Sequence, residues 1–248
     1  FQLSLPRTLS GPEHHPLDTF DAVEAVSAIE GAIGWCASIS SSVSLFCGGW
    51  LPTEVSRELF GAPPDARCAG SVRAEGRAER VAGGYRVNGR WDFASGINHA
   101  RWMFCSCVLT ENGAVVENSR GQPRTRSLMI PREAVELVDT WDVAGLEGTG
   151  SHDFVVTDVF VPEERTFFLG DAPVESGPIF NPRLSIVAAW TTTAAVSLGI
   201  ARGALRLPVE EHARRARIPV PRPQRALAAQ KEDGDAPHGD RVHDLSLI

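Results

Sequence analysis

The stretch GRWDFASGINHARW, residues 89–102, places two tryptophans, a phenylalanine and an Ala-Ser-Gly step inside what otherwise reads as a β-strand. Phe93 offers a ring face that can stack on a flat aromatic ligand. Ser95 offers a small hydroxyl that donates to or accepts from a polar edge. Gly96 removes a side chain where a ligand or another backbone must come close. Aromatics are also enriched in strands for packing reasons alone, so the residues by themselves leave a bound ligand and an ordinary packed strand both open.

Other stretches carry weaker chemistry. The Gly-rich run GLEGTGSHD, 145–153, suits a phosphate cradle built from backbone N–H groups, or a tight loop feeding a strand. His152 stands beside Asp153, but neighbours along a strand face opposite ways, so they are not expected to share an acid–base site. His99 is expected in a loop or at the surface. The pair His14-His15 has no further metal ligand at useful spacing, and HARRAR, 212–217, reads as a solvated basic run. Trp35 and Trp50 read as helical core, with a substrate-pocket wall as the alternative. The five cysteines, Cys36, Cys47, Cys68, Cys105 and Cys107, show no zinc-like spacing. They are expected to be reduced core residues of a cytoplasmic protein. Cys105 and Cys107, two apart on a strand, should share a face.

The elements that position these residues follow from periodicity. Residues 17–60 read as helical. Asp18 is the expected cap of a helix whose apolar positions are Phe20, Val23, Val26 and Ile29. A second helix, from Ala32 to Trp50, is apolar on nearly all sides and should be buried. A short third helix starts at Pro52-Thr53 and stops at Gly61. From about residue 66 the period becomes two. Gly83-Gly84 and Asn88-Gly89 read as turns between short strands. Further strands are expected at 102–110, 126–131, 135–141 and 152–162, with 111–125 as an exposed excursion, which suggests an antiparallel barrel or sandwich. Helix returns at 182–205, rich in small and apolar residues. After Leu205 the sequence turns to Arg, Pro, Asp and His and is expected to be disordered or weakly helical.

The chain has 248 residues, 43% hydrophobic and 22% charged, with a formal net charge of −7. That balance argues against a general nucleic-acid or membrane-surface partner. No apolar run is expected to approach the ~20 residues that span a bilayer. The chain starts at Phe1 without an initiator Met or a signal-like segment, which suggests a fragment or a trimmed start. The abrupt change after Leu205 suggests a reading-frame shift or a truncation.

Two stretches, GGYRVNGRWDFASGINHARW (83–102) and WDVAGLEGTGSHDFVVTDVFVPEE (141–164), with LPTEVSRELFG and SLGIARGAL in the same order, resemble the acyl-CoA dehydrogenase superfamily. They look most like its flavin-dependent monooxygenase branch, the two-component hydroxylases. The resemblance covers roughly residues 1–205. It implies an α+β fold: an N-terminal helical domain (1–64, incomplete), a central antiparallel β-barrel or sandwich domain (65–172), the first helix of a C-terminal bundle (173–205) and a divergent tail (206–248). It also implies a flavin site in which Phe93 stacks on the ring, Ala94 and Gly96 let the backbone approach, and Ser95 meets the N5/O4 edge. Ser71, in CAGSVRAEG, would meet the pyrimidine edge. The superfamily's Thr-Glu-x-x-Gly-x-Gly-Ser-Asp type run is absent. In its place stands GSVRAEGRAER, which favours the monooxygenase branch.

The resemblance therefore implies the oxygenase component of a two-component monooxygenase. It would hydroxylate a small aromatic or polycyclic substrate with O2 and reduced flavin, FMN ahead of FAD, supplied by a separate flavin reductase. A homo-oligomer, tetrameric in this family, is expected if the bundle is complete. The alternatives are an acyl-CoA dehydrogenase-like flavoenzyme that oxidises a CH–CH bond, and an inactive fragment or non-catalytic interaction subunit. The family's catalytic residues belong to the C-terminal bundle, so no catalytic base is assigned, and His212, His238 and His243 are not promoted to that role.

Overall fold

The computed structural model describes residues 2–61 and 67–216. The chain divides into two units, Phe1–Leu207 and Pro208–Ile248. Helices α1 (Pro16–Ser27), α2 (Gly31–Trp50) and α3 (Thr53–Phe60) come first. Strands β1 (Cys68–Val81), β2 (Gly84–Trp91), β3 (Trp102–Glu111), β4 (Ala114–Val115), β5 (Thr125–Pro131), β6 (Glu136–Val138), β7 (Asp153–Pro162) and β8 (Thr166–Phe167) follow, then helix α4 (Pro182–Ala216).

The N-terminus of α1 corrects one expectation. Its cap is His15, whose Nδ1 accepts from the Leu17 N–H at 3.3 Å, and Pro16 occupies the first helical position. Asp18 lies in the first turn, where its charge faces the positive end of the helix. Helix α2 is buried along most of its length, as its all-round apolar sequence requires. Its small hydroxyls fasten it to its neighbours: Ser40 Oγ accepts from the Cys68 N–H of β1 at 3.2 Å, and Ser38 and Thr192 hydroxyls meet at 2.6 Å. Helix α4 crosses α1 closely. A Cβ at Gly199 or Gly203 would run into the carbonyl of Glu24 or Ala28, and Arg202 pairs with Glu24 at 2.9 Å.

Helix α4 continues to Ala216, eleven residues past the point where helix was expected to give way. His212 lies on it; residues 217–248, with His238 and His243, lie outside the described residues. A second correction concerns apolar length. Two segments, Gly31–Trp50 and Pro182–Arg206, are long and apolar enough to cross a membrane by length and composition. The first is 67% buried within the chain and serves as a core helix. The second is only 28% buried, leaving Leu184, Val187, Trp190 and Leu198 bare.

The strands form one sheet in the order β6-β7-β2-β1-β3-β5-β8, with β4 on β3. It is mostly antiparallel, but β1 and β3 run parallel, so the all-antiparallel expectation is corrected there. The β1/β3 register shifts between Ser71 and Ala74 and again between Ala74 and Gly76. The β1–β2 hairpin turns at Gly83, φ +81°. Asn88-Gly89 does not turn. It lies within β2 at a bulge against β7, where Asn88 Oδ1 accepts from the Asp158 N–H at 2.8 Å. Gly89 is needed because Gly76 backbone and the Trp91 ring occupy the place of its Cβ, at 2.6 and 2.8 Å.

Two cores result. Within the sheet domain, fully buried Trp91 stacks on Phe154 at 5.1 Å between ring centres, with Tyr85, Met103 and Ile130 around them. Each large apolar side chain so buried contributes about 1.5–3 kcal/mol. Between sheet and helices, Leu45, Trp50, Phe104, Met129 and Phe180 form the other. Cys105 and Cys107 share the sheet core, while Phe104, next to Cys105, faces the helices, as period two requires. All five cysteines are free and buried.

Candidate functional site

The strand expected to carry WDFASG ends at Trp91, and residues 92–96 form an irregular turn before a short 3-10 helix, Ile97–His99. The backbone leaves the ladder because its N–H groups find other partners. Ala94 N–H donates to the His152 carbonyl at 3.0 Å and Gly96 N–H to the Thr149 carbonyl at 2.8 Å. The turn separates the aromatics. Trp91 points into the core and donates its indole N–H to the Ser106 carbonyl at 2.9 Å. Phe93 points outward, 57% exposed.

Phe93 holds φ +56°, a conformation that a bulky residue adopts only when its surroundings impose it. Its ring meets the edge of Trp141 at 6.1 Å and 90°. Ala94 is fully buried, and Gly96 sits at φ +84°, where a side chain would be strained and would crowd His99 Nε2 at 3.2 Å. Ser95 is 4% exposed and is held by a chain of polar contacts. The Trp35 indole N–H donates to Ser95 Oγ at 2.8 Å. Ser95 Oγ and Ser151 Oγ lie 2.7 Å apart, and Ser151 Oγ and Thr149 Oγ1 2.6 Å apart. Thr149 donates to the Leu146 carbonyl at 2.8 Å.

Ser71 is buried at the first register shift of β1, and its Oγ accepts from the Arg73 N–H at 3.4 Å, a local turn contact. Arg73 in turn grips Asp92 through both carboxylate oxygens, at 2.7 and 2.9 Å. That ion pair ties the β1 irregularity to the residue preceding Phe93, so the two stretches the sequence singles out meet in space.

Three N–H groups of the run 145–153 are spent on the run itself. Thr149, Gly150 and His152 donate to the carbonyls of Leu146, Glu147 and Gly150. These donors are not free for a phosphate, and the loop's contribution to the turn is the pair of hydroxyls on Thr149 and Ser151. His152 Nδ1 accepts from the N–H groups of Thr140 and Trp141, both at 3.3 Å, and lies 3.1 Å from an Asp139 carboxylate oxygen. Asp153 binds Arg90 at 2.6 Å. Neither forms an acid–base pair with the other. Burial pushes the Cys36 thiol, which lies beside Gly96, up to about 11. Burial, and then the charge of Arg67, holds His99 below the usual imidazole range.

Trp35, Thr149 and Ser151 belong to this constellation; Trp35 enters the sequence reading only through its pocket-wall alternative, and neither hydroxyl is singled out there. In the Gly-rich run it is the hydroxyls of Thr149 and Ser151, not the backbone, that reach Ser95. Trp35 is half-buried and has a polar partner, which a pure core residue does not need. Trp50 is core, its indole bound to the Asp171 carbonyl at 3.0 Å. Another concavity, about 700 Å³, lies between the N-terminal segment and α4, lined by His14, His15, Leu17, Phe20, Leu184 and Val187 among others. Among the described residues no group of three or more His, Cys, Asp or Glu is placed to hold a metal.

An exposed ring beside a buried hydroxyl anchored from behind makes a surface on which a flat heteroaromatic molecule can lie. The donors around Ser95, an indole N–H and hydroxyls, are neutral.

No family model matches the chain. Curated relatives do. An indole-3-acetate monooxygenase of Pseudomonas putida is 35% identical over 206 residues, 83% of this chain and 50% of that protein. The oxygenase component of an FADH2-dependent resorcinol hydroxylase from Rhizobium is 31% identical over 218 residues, again 83% and 50%. Thus the chain spans about half the length of these relatives. Among solved structures, a 3-HSA hydroxylase from Rhodococcus sp. RHA1 superimposes with a TM-score of 0.77 at 30% identity, covering 89% of this chain and 56% of that one. XiaF from Streptomyces, in complex with FADH2 and glycerol, gives 0.72 at 27% identity, covering 85% and 53%.

Proposed function

We propose that this chain, which belongs to the oxygenase-component family of two-component flavin-dependent monooxygenases with the acyl-CoA dehydrogenase-like fold, holds reduced flavin against the Phe93–Gly96 turn and serves the hydroxylation of an aromatic substrate. The observation that carries the reading is Phe93, an exposed ring kept at positive φ beside a buried, anchored Ser95. Phe93 stacks on the ring system. Ser95 meets its N5/O4 edge. Ala94 and Gly96 keep that approach clear of side chains, and Ser71 meets the pyrimidine edge from the β1 irregularity. Two of the proteins named above are described with FADH2, which turns the expected order of FMN before FAD toward reduced FAD.

Reduced flavin, when bound, supplies the electrons with which O2 is split between the substrate and water. The protein's part is to bind and orient the ring and to keep water from it. A separate flavin reductase is the electron source, in keeping with the word "component" in the relative's name. The substrate is a small aromatic or polycyclic molecule, and the setting is the cytoplasm. The domain limits 1–64, 65–172 and 173–205 belong to this reading. So does a homo-oligomer, in which the bare apolar face of α4 is covered by the remainder of a helical bundle.

Anaerobic titration of the chain with FADH2, followed by tryptophan fluorescence, tests the site. Phe93→Ala and Ser95→Ala should each weaken binding roughly three- to tenfold, the worth of one stacking contact or one net hydrogen bond. If both leave affinity untouched, the site is misplaced.

A further inference from the structure

Each hydroxyl in the chain behind Ser95 has one proton, and that count fixes its direction. The indole N–H of Trp35 can only donate, so Ser95 Oγ accepts it. At the other end the Leu146 carbonyl can only accept, so Thr149 spends its proton there. Thr149 therefore accepts from Ser151, and Ser151, its proton spent, accepts from Ser95. The order runs Trp35 N–H to Ser95 O–H to Ser151 O–H to Thr149 O–H to Leu146 C=O. Thr149, Ser151 and Ser95 are all buried, so solvent does not scramble it. The backbone N–H groups of Ala94, Ser95 and Gly96 are spent as well, on His152, Phe93 and Thr149 carbonyls. What Ser95 has left for a ligand is one lone pair and no proton.

We infer that this ordered hydroxyl chain makes Thr149 and Ser151 redox-specificity residues, through which Ser95 selects a ligand edge that donates. The inference rests on the reading that flavin meets Ser95. Reduced flavin carries a hydrogen on N5 and satisfies the lone pair. Oxidised flavin presents a lone pair at N5, and lone pair would face lone pair. To donate instead, Ser95 must either break its contact with Ser151 or reverse the whole chain, which moves the break to the chain's end. The Thr149 and Leu146 oxygens, 2.8 Å apart, would then face each other without a proton between them. The Leu146 carbonyl keeps its N–H partners, Thr149 N and the Trp141 indole, in either direction. The cost of reversal is therefore that one contact, worth about fivefold in binding. Preference for the reduced form favours capture of flavin from a reductase and release once it is oxidised.

The test compares dissociation constants of FADH2 and FAD for the full chain under anaerobic conditions, with the midpoint potential of the bound flavin as an independent readout. Thr149→Val removes the terminal proton acceptor, so Ser151 can turn toward Ser95 and free the Ser95 proton. The preference for FADH2 should narrow about fivefold, and the bound potential should fall by about 20 mV, from 29.6 mV per tenfold for two electrons. Ser151→Ala should act in the same direction and serves if Thr149→Val does not fold. Thr149→Ser should restore the preference. Trp35→Phe removes a donor without altering the direction and should keep it. An unchanged ratio in both Thr149→Val and Ser151→Ala, with Ser95→Ala still weakening binding, overturns the hydroxyl chain's role and leaves the flavin site standing. Failure of the unaltered chain to bind either form overturns the flavin reading and this inference with it.

Discussion

A double-mutant cycle on Trp35 and Ser95 probes the construction of the site without any flavin. The indole N–H reaches a buried hydroxyl sixty residues away in sequence, joining α2 to the turn after β2 at 2.8 Å. Ser95→Ala strips the acceptor from Trp35 and the partner from Ser151, two contacts of a buried group, and should cost about 2 kcal/mol. Trp35→Phe keeps most of the ring and removes only the donor. Because Trp35 is half-buried, solvent partly compensates, and the cost should be about 1 kcal/mol. The double variant has no bond left to lose at this pair, so its cost should fall about 1 kcal/mol short of the sum. For a domain of this size each kcal/mol corresponds to roughly 2–4 °C in Tm. Urea denaturation of the four proteins, extrapolated to water, measures the cycle. Additivity within about 0.3–0.5 kcal/mol would refute the pairing, because residues that do not interact behave that way.

Other outcomes follow from the packing and the charges. Gly76→Ala would drive a methyl into the Trp91 ring, itself stacked on Phe154, and should destabilise the sheet domain by about 3 kcal/mol in the same denaturation assay. Burial raises the thiols of Cys36, Cys68 and Cys107, to about 11, 12 and 12, so an aromatic disulfide reagent at pH 8 should label none of the five cysteines quickly until denaturant is added. His99 is held below its ordinary range by burial and Arg67. The unfolded chain therefore takes up the proton first as pH falls past about 6.5, and its stability contribution, present above that value, is lost on acidification. His99→Gln should flatten the decline in Tm between pH 7 and pH 5.

The helices and most strands were legible because their period is local. Helix α2 is apolar on every side, and β3 alternates Cys105 and Cys107 against Phe104. Asn88-Gly89 misled because the glycine serves a close approach to Gly76 and Trp91 rather than a turn, and that neighbour is distant in sequence for one of the two contacts. The parallel β1/β3 pair was hidden for the same reason, since direction is set by a crossover and not by composition. In the site, Phe93, Ser95 and Gly96 could be picked out by type, and their roles came from the family resemblance. Their backbone could not be read, because a strand-like composition gave way to a turn held by the 149–152 carbonyls. Trp35, Thr149 and Ser151 come from other segments, and no local pattern marks a hydroxyl that will end 2.7 Å from Ser95.

The most direct test is a crystal structure of the chain grown anaerobically with FADH2. The expected density lies with the flavin ring against Phe93, its N5 edge at Ser95 and the backbone of Gly96 alongside. A ring bound instead in the cleft beside His14, His15 and Val187, with the Phe93–Gly96 turn bare, would contradict the assignment of the site.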